Sequence, residues 1–249
     1  METIVPKTSA ALSSLLRADF TTQWRNRKST VLILLVPVII LISWKGIIDK
    51  LGPAFALSTC ITLGLIAIGL MGYSNAVARD RDKGVFQRLR VTPVPTWSIM
   101  VSRLIVQLAM IILVTAAVFI AGYYFDKITL APAGYALTFL TAIVGGALYL
   151  GLGQLIVGLL KNAETVNSTS RLVYFVFIMV GMFGDLGVLG NQFKEAVHWS
   201  PYGTVKNILS ASMEPSAWSN HTTMALLITI GYAVAFSFLG IKKFKWSTH

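Results

Sequence analysis

The sequence is short of charge, and of acid above all. Asp and Glu number 10 in 249 residues, and charged residues of both signs make up 12%, where a soluble domain carries about 25%. The charge that remains lies in gaps between long apolar runs, the pattern of a chain that crosses a bilayer repeatedly. A single cysteine, Cys60, excludes an internal disulfide framework and a cysteine metal cluster. It falls inside an apolar run and reads as a small buried side chain. The three histidines, His198, His221 and His249, do not stand at metal-ligand spacing. No Gly-x-x-x-x-Gly-Lys-Ser/Thr loop occurs, which excludes ATP binding of that kind by this chain. Ser200 lies near His198, but no buried acid or oxyanion turn accompanies them, so a triad hydrolase is excluded as well. A second domain has nowhere to sit. The longest polar stretches, Met1–Thr30 and Arg79–Arg103, are too short to fold alone, so residues 1–249 read as one membrane domain. The first 30 residues lack an apolar core ending at a small-residue cleavage site. The first span is therefore expected to act as an uncleaved insertion signal.

What is present is apolar: 55% of the residues are hydrophobic. Six runs approach the roughly 20 residues a bilayer core requires. They are expected at 30–48, 54–78, 104–125, 135–160, 172–189 and 224–241. Pro37 should kink the first, and Pro53 should open the second from a first-turn position. Ahead of them, residues 8–28 predict an amphipathic helix lying in the interface. Leu12, Leu15, Leu16, Phe20 and Trp24 share one face, and Arg25, Arg27 and Lys28 follow. Residues 191–220 predict two short outer helices broken near Trp199–Pro201, where Ser200-Pro201 is a cap and first-turn signal. Glycines crowd the fourth run at Gly145, Gly146, Gly151, Gly153 and Gly158, which suits close helix packing in lipid. The fold class expected is an all-α integral membrane protein with six transmembrane helices.

The net charge is +11. Beside hydrophobic spans this points to anionic lipid headgroups and away from nucleic acid. Of the 21 Lys and Arg, 16 fall in the N-terminus, 79–103, 161–171 and the C-terminal tail. Five fall in the alternate segments, at Lys45, Lys50, Lys127, Lys194 and Lys206. Basic loops stay inside, so both termini are expected in the cytoplasm of a multi-pass plasma-membrane protein.

The most informative stretch is 79–95, after the second span. Acidic and basic residues alternate through Arg79, Asp80, Arg81, Asp82 and Lys83. After Gly84, the residues Val85, Phe86 and Leu89 form one apolar face of a short helix, with Arg88 and Arg90 elsewhere. Thr92-Pro93 closes it. A basic loop that binds lipid needs only charge. This one offers a preorganised apolar knob suited to a partner's groove, and both readings stand on the residues alone. The order Asp82-Lys83-Gly84, then Arg88-Leu89-Arg90-Val91-Thr92-Pro93, resembles the loop between the second and third spans of ABC-2 type permeases. These include drug-resistance and sodium-efflux exporter subunits. The resemblance extends to the basic N-terminal helix, the six spans and the outer helices. Where the family often has Glu, this chain has Asp at 80 or 82, which keeps the carboxylate.

The resemblance implies a coupling helix seated in a separate cytoplasmic ATPase subunit, formed by Asp80, Asp82, Gly84, Val85, Phe86, Arg88, Leu89, Arg90, Thr92 and Pro93. It implies a second permease chain, ATP and Mg held by the partner ATPase and no cofactor on this chain. It also implies export, and the apolar helix faces suit a hydrophobic drug-like or lipid-like substrate. Two further residues are candidates for a substrate path or gate. Asp185 is the one acid inside an apolar run, about two-thirds of the way across if the helix is counted from Arg171, and an intramembrane carboxylate is costly. Gln154 is polar within the fourth span, as are Asn75 and Asn167 within or beside other spans, where hydrogen bonds between helices are the alternative. A self-sufficient secondary transporter or channel is the rival reading. It would ordinarily need several ionisable groups in the spans, and Asp185 alone qualifies.

Overall fold

The computed structural model describes residues 8–25, 27–90, 96–188 and 190–244. Of Leu89 and Arg90 it describes the backbone alone. Among these residues the structure is helical, with no strand. Helix α1 is Thr8–Arg25, α2 Arg27–Ser43, α3 Lys45–Leu51 and α4 Pro53–Asp82. The six-residue α5 is Val85–Arg90 and α6 is Thr96–Asp126. Then come α7 Pro132–Leu159, α8 Ala163–Asp185, α9 Asn191–Trp199, α10 Pro201–Met213 and α11 Asn220–Lys243. Five helices, α4, α6, α7, α8 and α11, are long and apolar enough to cross a membrane. A sixth span is reached if residues 12–25 of α1 and 30–43 of α2, at 60° to each other, count as one crossing element.

Most spans are longer than the apolar runs, because helices continue past the bilayer core into polar sequence. Thirty residues of α4 reach about 45 Å, against a core of about 30 Å. The excess carries Arg79 to Asp82 beyond the apolar zone. The first run behaves differently. It breaks at Trp44 after α2 and resumes as α3, instead of running on to residue 48. The fifth run begins nine residues earlier than its apolarity suggests, because the polar first turns of α8 find partners on α4. Ser74 and Ser170 share a hydrogen bond of 2.9 Å, and Asn75 Nδ2 donates to Asn167 Oδ1 at 3.2 Å. Such interhelical bonds contribute about 0.6 kcal/mol each in lipid.

Helix α4 is the axis of the bundle. In its most apolar stretch 83% of residues are buried, against 17% for α8 and for α11. The outward faces of α8 and α11, with Leu172, Phe175, Leu227, Ile230, Val234 and Phe238 exposed, are apolar, as a lipid-facing surface must be. Gly69 of α4 lies against the backbone of Tyr149 on α7, and Gly153 lies against the Gly69 carbonyl. A Cβ at either position would strike backbone, so the close approach of the two axes requires glycine. Helix α4 passes through a π-helical stretch at Ala67–Tyr73, and α8 through another at Phe177–Met182. Fully buried Tyr149 touches both, through Gly69 and through its ring against Phe177.

The outer pair forms as the Ser200-Pro201 signal predicts. Ser200 Oγ accepts from Gly203 N at 3.3 Å and Pro201 opens α10. Its depth differs from expectation. Val205, Ile208, Leu209 and Met213 are all buried, and α10 packs on α4, α7 and α11. It is a wedge between spans, where a helix lying in the outer interface was expected.

Candidate functional site

One end of the bundle gathers α1, the exits of α4, α7 and α11, the entries of α6 and α8, and α5. The residues Asp80 to Phe86 join them. Asp80 accepts from Arg103 Nη2 of α6 at 2.5 Å. Arg81 is 3% exposed. Its guanidinium donates to Val157 O at 2.8 Å, Leu160 O at 2.8 Å and Lys161 O at 2.7 Å. These are carbonyls at the end of α7, which has no further turn to bond them and carries the negative pole of the helix. Asp82 Oδ2 accepts from Ala163 N at 3.0 Å, and Asn162 Oδ1 from Glu164 N at 2.8 Å. Together they cap the start of α8. Hydrogen bonds to charged groups contribute about 1.5–3 kcal/mol, so this end of α4 is firmly tied to three neighbours. The chain then turns at Gly84, whose φ of +66° is a left-handed value that favours glycine.

On α5 the structure departs from the sequence reading. Phe86 was expected on an outward apolar face. It is 1% exposed and belongs to the chain's own core. Its ring meets Phe244 edge-on at 5.8 Å between centroids, and the Arg103 guanidinium lies 4.8 Å from its centre. The cause is the proximity of the α6 and α11 ends, which a local pattern cannot reveal. Val85 is half-buried, while Arg88 is exposed with Gln87 and Lys83. The side chains of Leu89 and Arg90, and Thr92 and Pro93 as a whole, lie outside the described residues.

Helix α1 joins the same end by packing on α6. Its expected stripe divides. Leu12, Leu15 and Leu16 are half-buried, while Phe20 and Trp24 are exposed. Asp19 accepts from Ser102 Oγ at 2.5 Å, and burial pushes its carboxyl pKa up while Ser102 and Arg103 pull it down. A pocket of about 40 Å³ lies between α1, α4 and α6, with Asp19, Gln23, Tyr73, Asp80, Arg103 and Val106 on its walls. That volume admits a water molecule.

At the opposite end Asp185 is the last residue of α8, which starts at Ala163 and not at Arg171, the residue from which its depth was counted. Its carboxylate pairs with the Lys206 ammonium of α10. Lys206, counted from sequence among the outer basic residues, is 7% exposed and sits 3.6 Å from the centre of the Phe55 ring. Burial lowers the Lys206 pKa, and Asp185 opposes that shift. Gln154 accepts from the Tyr73 hydroxyl at 2.8 Å and is 7% exposed. That bond joins α4 to α7. The residues that sequence reasoning missed are Arg81, Arg103, Lys206 and Phe244. Arg81, Arg103 and Phe244 are each a cation or aromatic at the end of an apolar run, and Lys206 is the cation on the polar side of the short helix after Pro201.

These features define a multi-pass, all-α integral membrane protein whose spans are tied at one end by charged residues. The chain belongs to the ABC-2 type transporter family, whose sequence pattern matches residues 10–213. It is also similar to a Bacillus subtilis (strain 168) protein named "Putative transport permease YvfS". The two are 23% identical over 225 residues, covering 86% of this chain and 89% of that protein. The chain is accordingly a transporter permease.

Proposed function

We propose that the chain is the membrane-spanning subunit of an ATP-driven exporter in the plasma membrane, working with a separate cytoplasmic ATPase that holds ATP and Mg, and with a second permease copy. The observation that carries this reading is the mounting of α5. A one-and-a-half-turn helix outside the spans has no independent stability. Here it stands on charge-assisted bonds from α4 to α6, α7 and α8, with Lys83, Gln87 and Arg88 exposed. A fixed helix with solvent-facing polar residues suits a partner that pushes on it. The bias of 16 basic residues to 5 favours this end as cytoplasmic. An apolar cavity of about 250 Å³ between α6 and α7, walled by Leu104, Leu108, Ile111, Ile143 and Leu150, suits a hydrophobic drug-like or lipid-like substrate. Asp185, paired with Lys206 where α8 meets α10, is the candidate gate.

The test is co-purification of an ATPase subunit with detergent-solubilised permease, comparing wild type with Arg88→Glu and Lys83→Glu. Both positions are exposed, so the permease itself should keep its stability to within about 0.5 kcal/mol. The expected result is partner capture by wild type and a several-fold loss in the charge reversals that deepens at low salt. Full capture by both variants at low salt would refute α5 as the docking helix.

A further inference from the structure

Phe86 raises a question that docking does not answer. A helix whose task is only to bind a partner would present its largest apolar side chain outward. This one turns it inward, onto residues from two other parts of the chain. We propose that Phe244, just past the end of the last span, is a positioning residue for α5. With Arg103 it forms an internal socket for Phe86, and through that socket displacement of α5 is carried to α11.

Four observations support this. The Phe86 and Phe244 rings are 5.8 Å apart at an interplanar angle of 86°, the edge-to-face arrangement that aromatic pairs favour. Arg103 closes another side of Phe86 at 4.8 Å, and is held there by Asp80. Arg81, fixed to the end of α7 by three carbonyls, also reaches the Phe244 ring, with its guanidinium carbon 5.9 Å from the centroid. Finally, the Phe244 backbone N–H donates to Ile241 O at 3.2 Å, so the residue that carries the ring caps the last turn of α11. The same two arginines that tie α4 to α6 and to α7 therefore grip the two rings that tie α5 to α11. Helix α11, with α8 the least buried of the five long spans, is otherwise packed mainly on α7. The socket gives it a direct link to α5.

The inference rests on the coupling role proposed for α5, but its first test needs neither partner nor substrate. Hydrogen exchange is measured on the full chain in lipid nanodiscs for wild type, Phe244→Ala, Phe244→Leu and Phe244→Tyr. The expected result is at least fivefold faster exchange of the Val85–Arg90 amides in Phe244→Ala. Phe244→Leu, which keeps apolar bulk but not the ring, should show a smaller rise. Phe244→Tyr should restore the wild-type rate. In the reverse direction, Phe86→Leu should speed exchange in the last turn of α11 while α10 keeps its protection. Wild-type exchange in α5 of both Phe244→Ala and Phe244→Leu would overturn the socket. The second arm uses the co-purified ATPase complex. ATP should change exchange at Ile241–Lys243 in wild type and not in Phe86→Leu, although that variant still retains the ATPase. Loss of the ATPase from Phe86→Leu would overturn the proposal by making Phe86 a docking anchor. Failure of wild type to capture any ATPase would instead count against the coupling role, and the first arm would still decide the socket.

Discussion

Replacing Asp185 by Asn removes the counter-charge of Lys206 and leaves nearly everything else in place. Lys206 is buried, has the Phe55 ring at 3.6 Å, and sits on a helix wedged among three spans, so it cannot move easily into water. Removing one partner of a buried pair costs about 3–5 kcal/mol. The lower end applies here, because the Asn carbonyl can still accept from the ammonium and the ring retains a cation–π contribution of about 1 kcal/mol. About 3 kcal/mol corresponds to a fall of roughly 6–12 °C in melting temperature for a chain of this size. The pH dependence has a definite sign. Burial sets the folded Lys206 pKa below its ordinary 10.5. In the window between the two values the unfolded chain binds more protons, so stability rises with pH toward the ordinary value. The Asn variant loses the attraction that opposed this shift, so its window opens at lower pH. Its deficit against wild type should narrow as pH rises toward the ordinary value of 10.5. Asp185→Leu combined with Lys206→Met removes both charges and should recover most of the loss. The assay is thermal unfolding of purified protein across pH. A single Asn variant melting within about 2 °C of wild type at neutral pH, or a deficit that widens with pH, would refute the buried pair. If the pair is also the gate, transport by Asp185→Asn should fall at equal expression.

Phe86→Ala should destabilise the permease itself by about 3–5 kcal/mol, as truncation of a buried Phe does, and thermal unfolding without any partner checks this. Cysteine labelling in a Cys60→Ser background should modify exposed positions 87 and 164 only after permeabilisation, and exposed positions 127 and 214 in intact cells. Labelling of 87 from outside would reverse the assigned orientation.

Apolar run length found every long span, because bilayer thickness acts directly on composition. It misjudged span ends, since turns beyond the core owe their stability to neighbours: Ala163 to Ser170 is helical against α4 despite its polar residues. The Ser200-Pro201 break was legible because cap chemistry is local. The depth of α10 was not, because Val205, Ile208 and Leu209 share an apolar face whether the face meets lipid or protein. The loop 79–95 stood out as unusual, yet the inward direction of Phe86 depends on Arg103 and Phe244, which are distant in sequence. For the same reason Asp185 was visible as an isolated acid while its partner Lys206 was hidden among the loop cations.

The π-helical stretch of α4 has a consequence for helical phase. A π turn accommodates a residue beyond the α repeat, so the two halves of α4 are out of step with a single continuous α-helix. The half that begins at Pro53 sets Leu57, Ile61 and Leu65 into the core, and the half that ends at Asp82 aims Tyr73 at Gln154, Ser74 at Ser170 and Arg81 at the end of α7. Rewinding Ala67–Tyr73 as α-helix with no residue removed would swing everything after it by about 100°. Ser74 would leave Ser170, and Arg81 would lose the carbonyls it caps. The wide turn sets the azimuth of the Asp82 end of α4, and small changes in its winding would rotate that end about the bundle axis while the Pro53 half stays still.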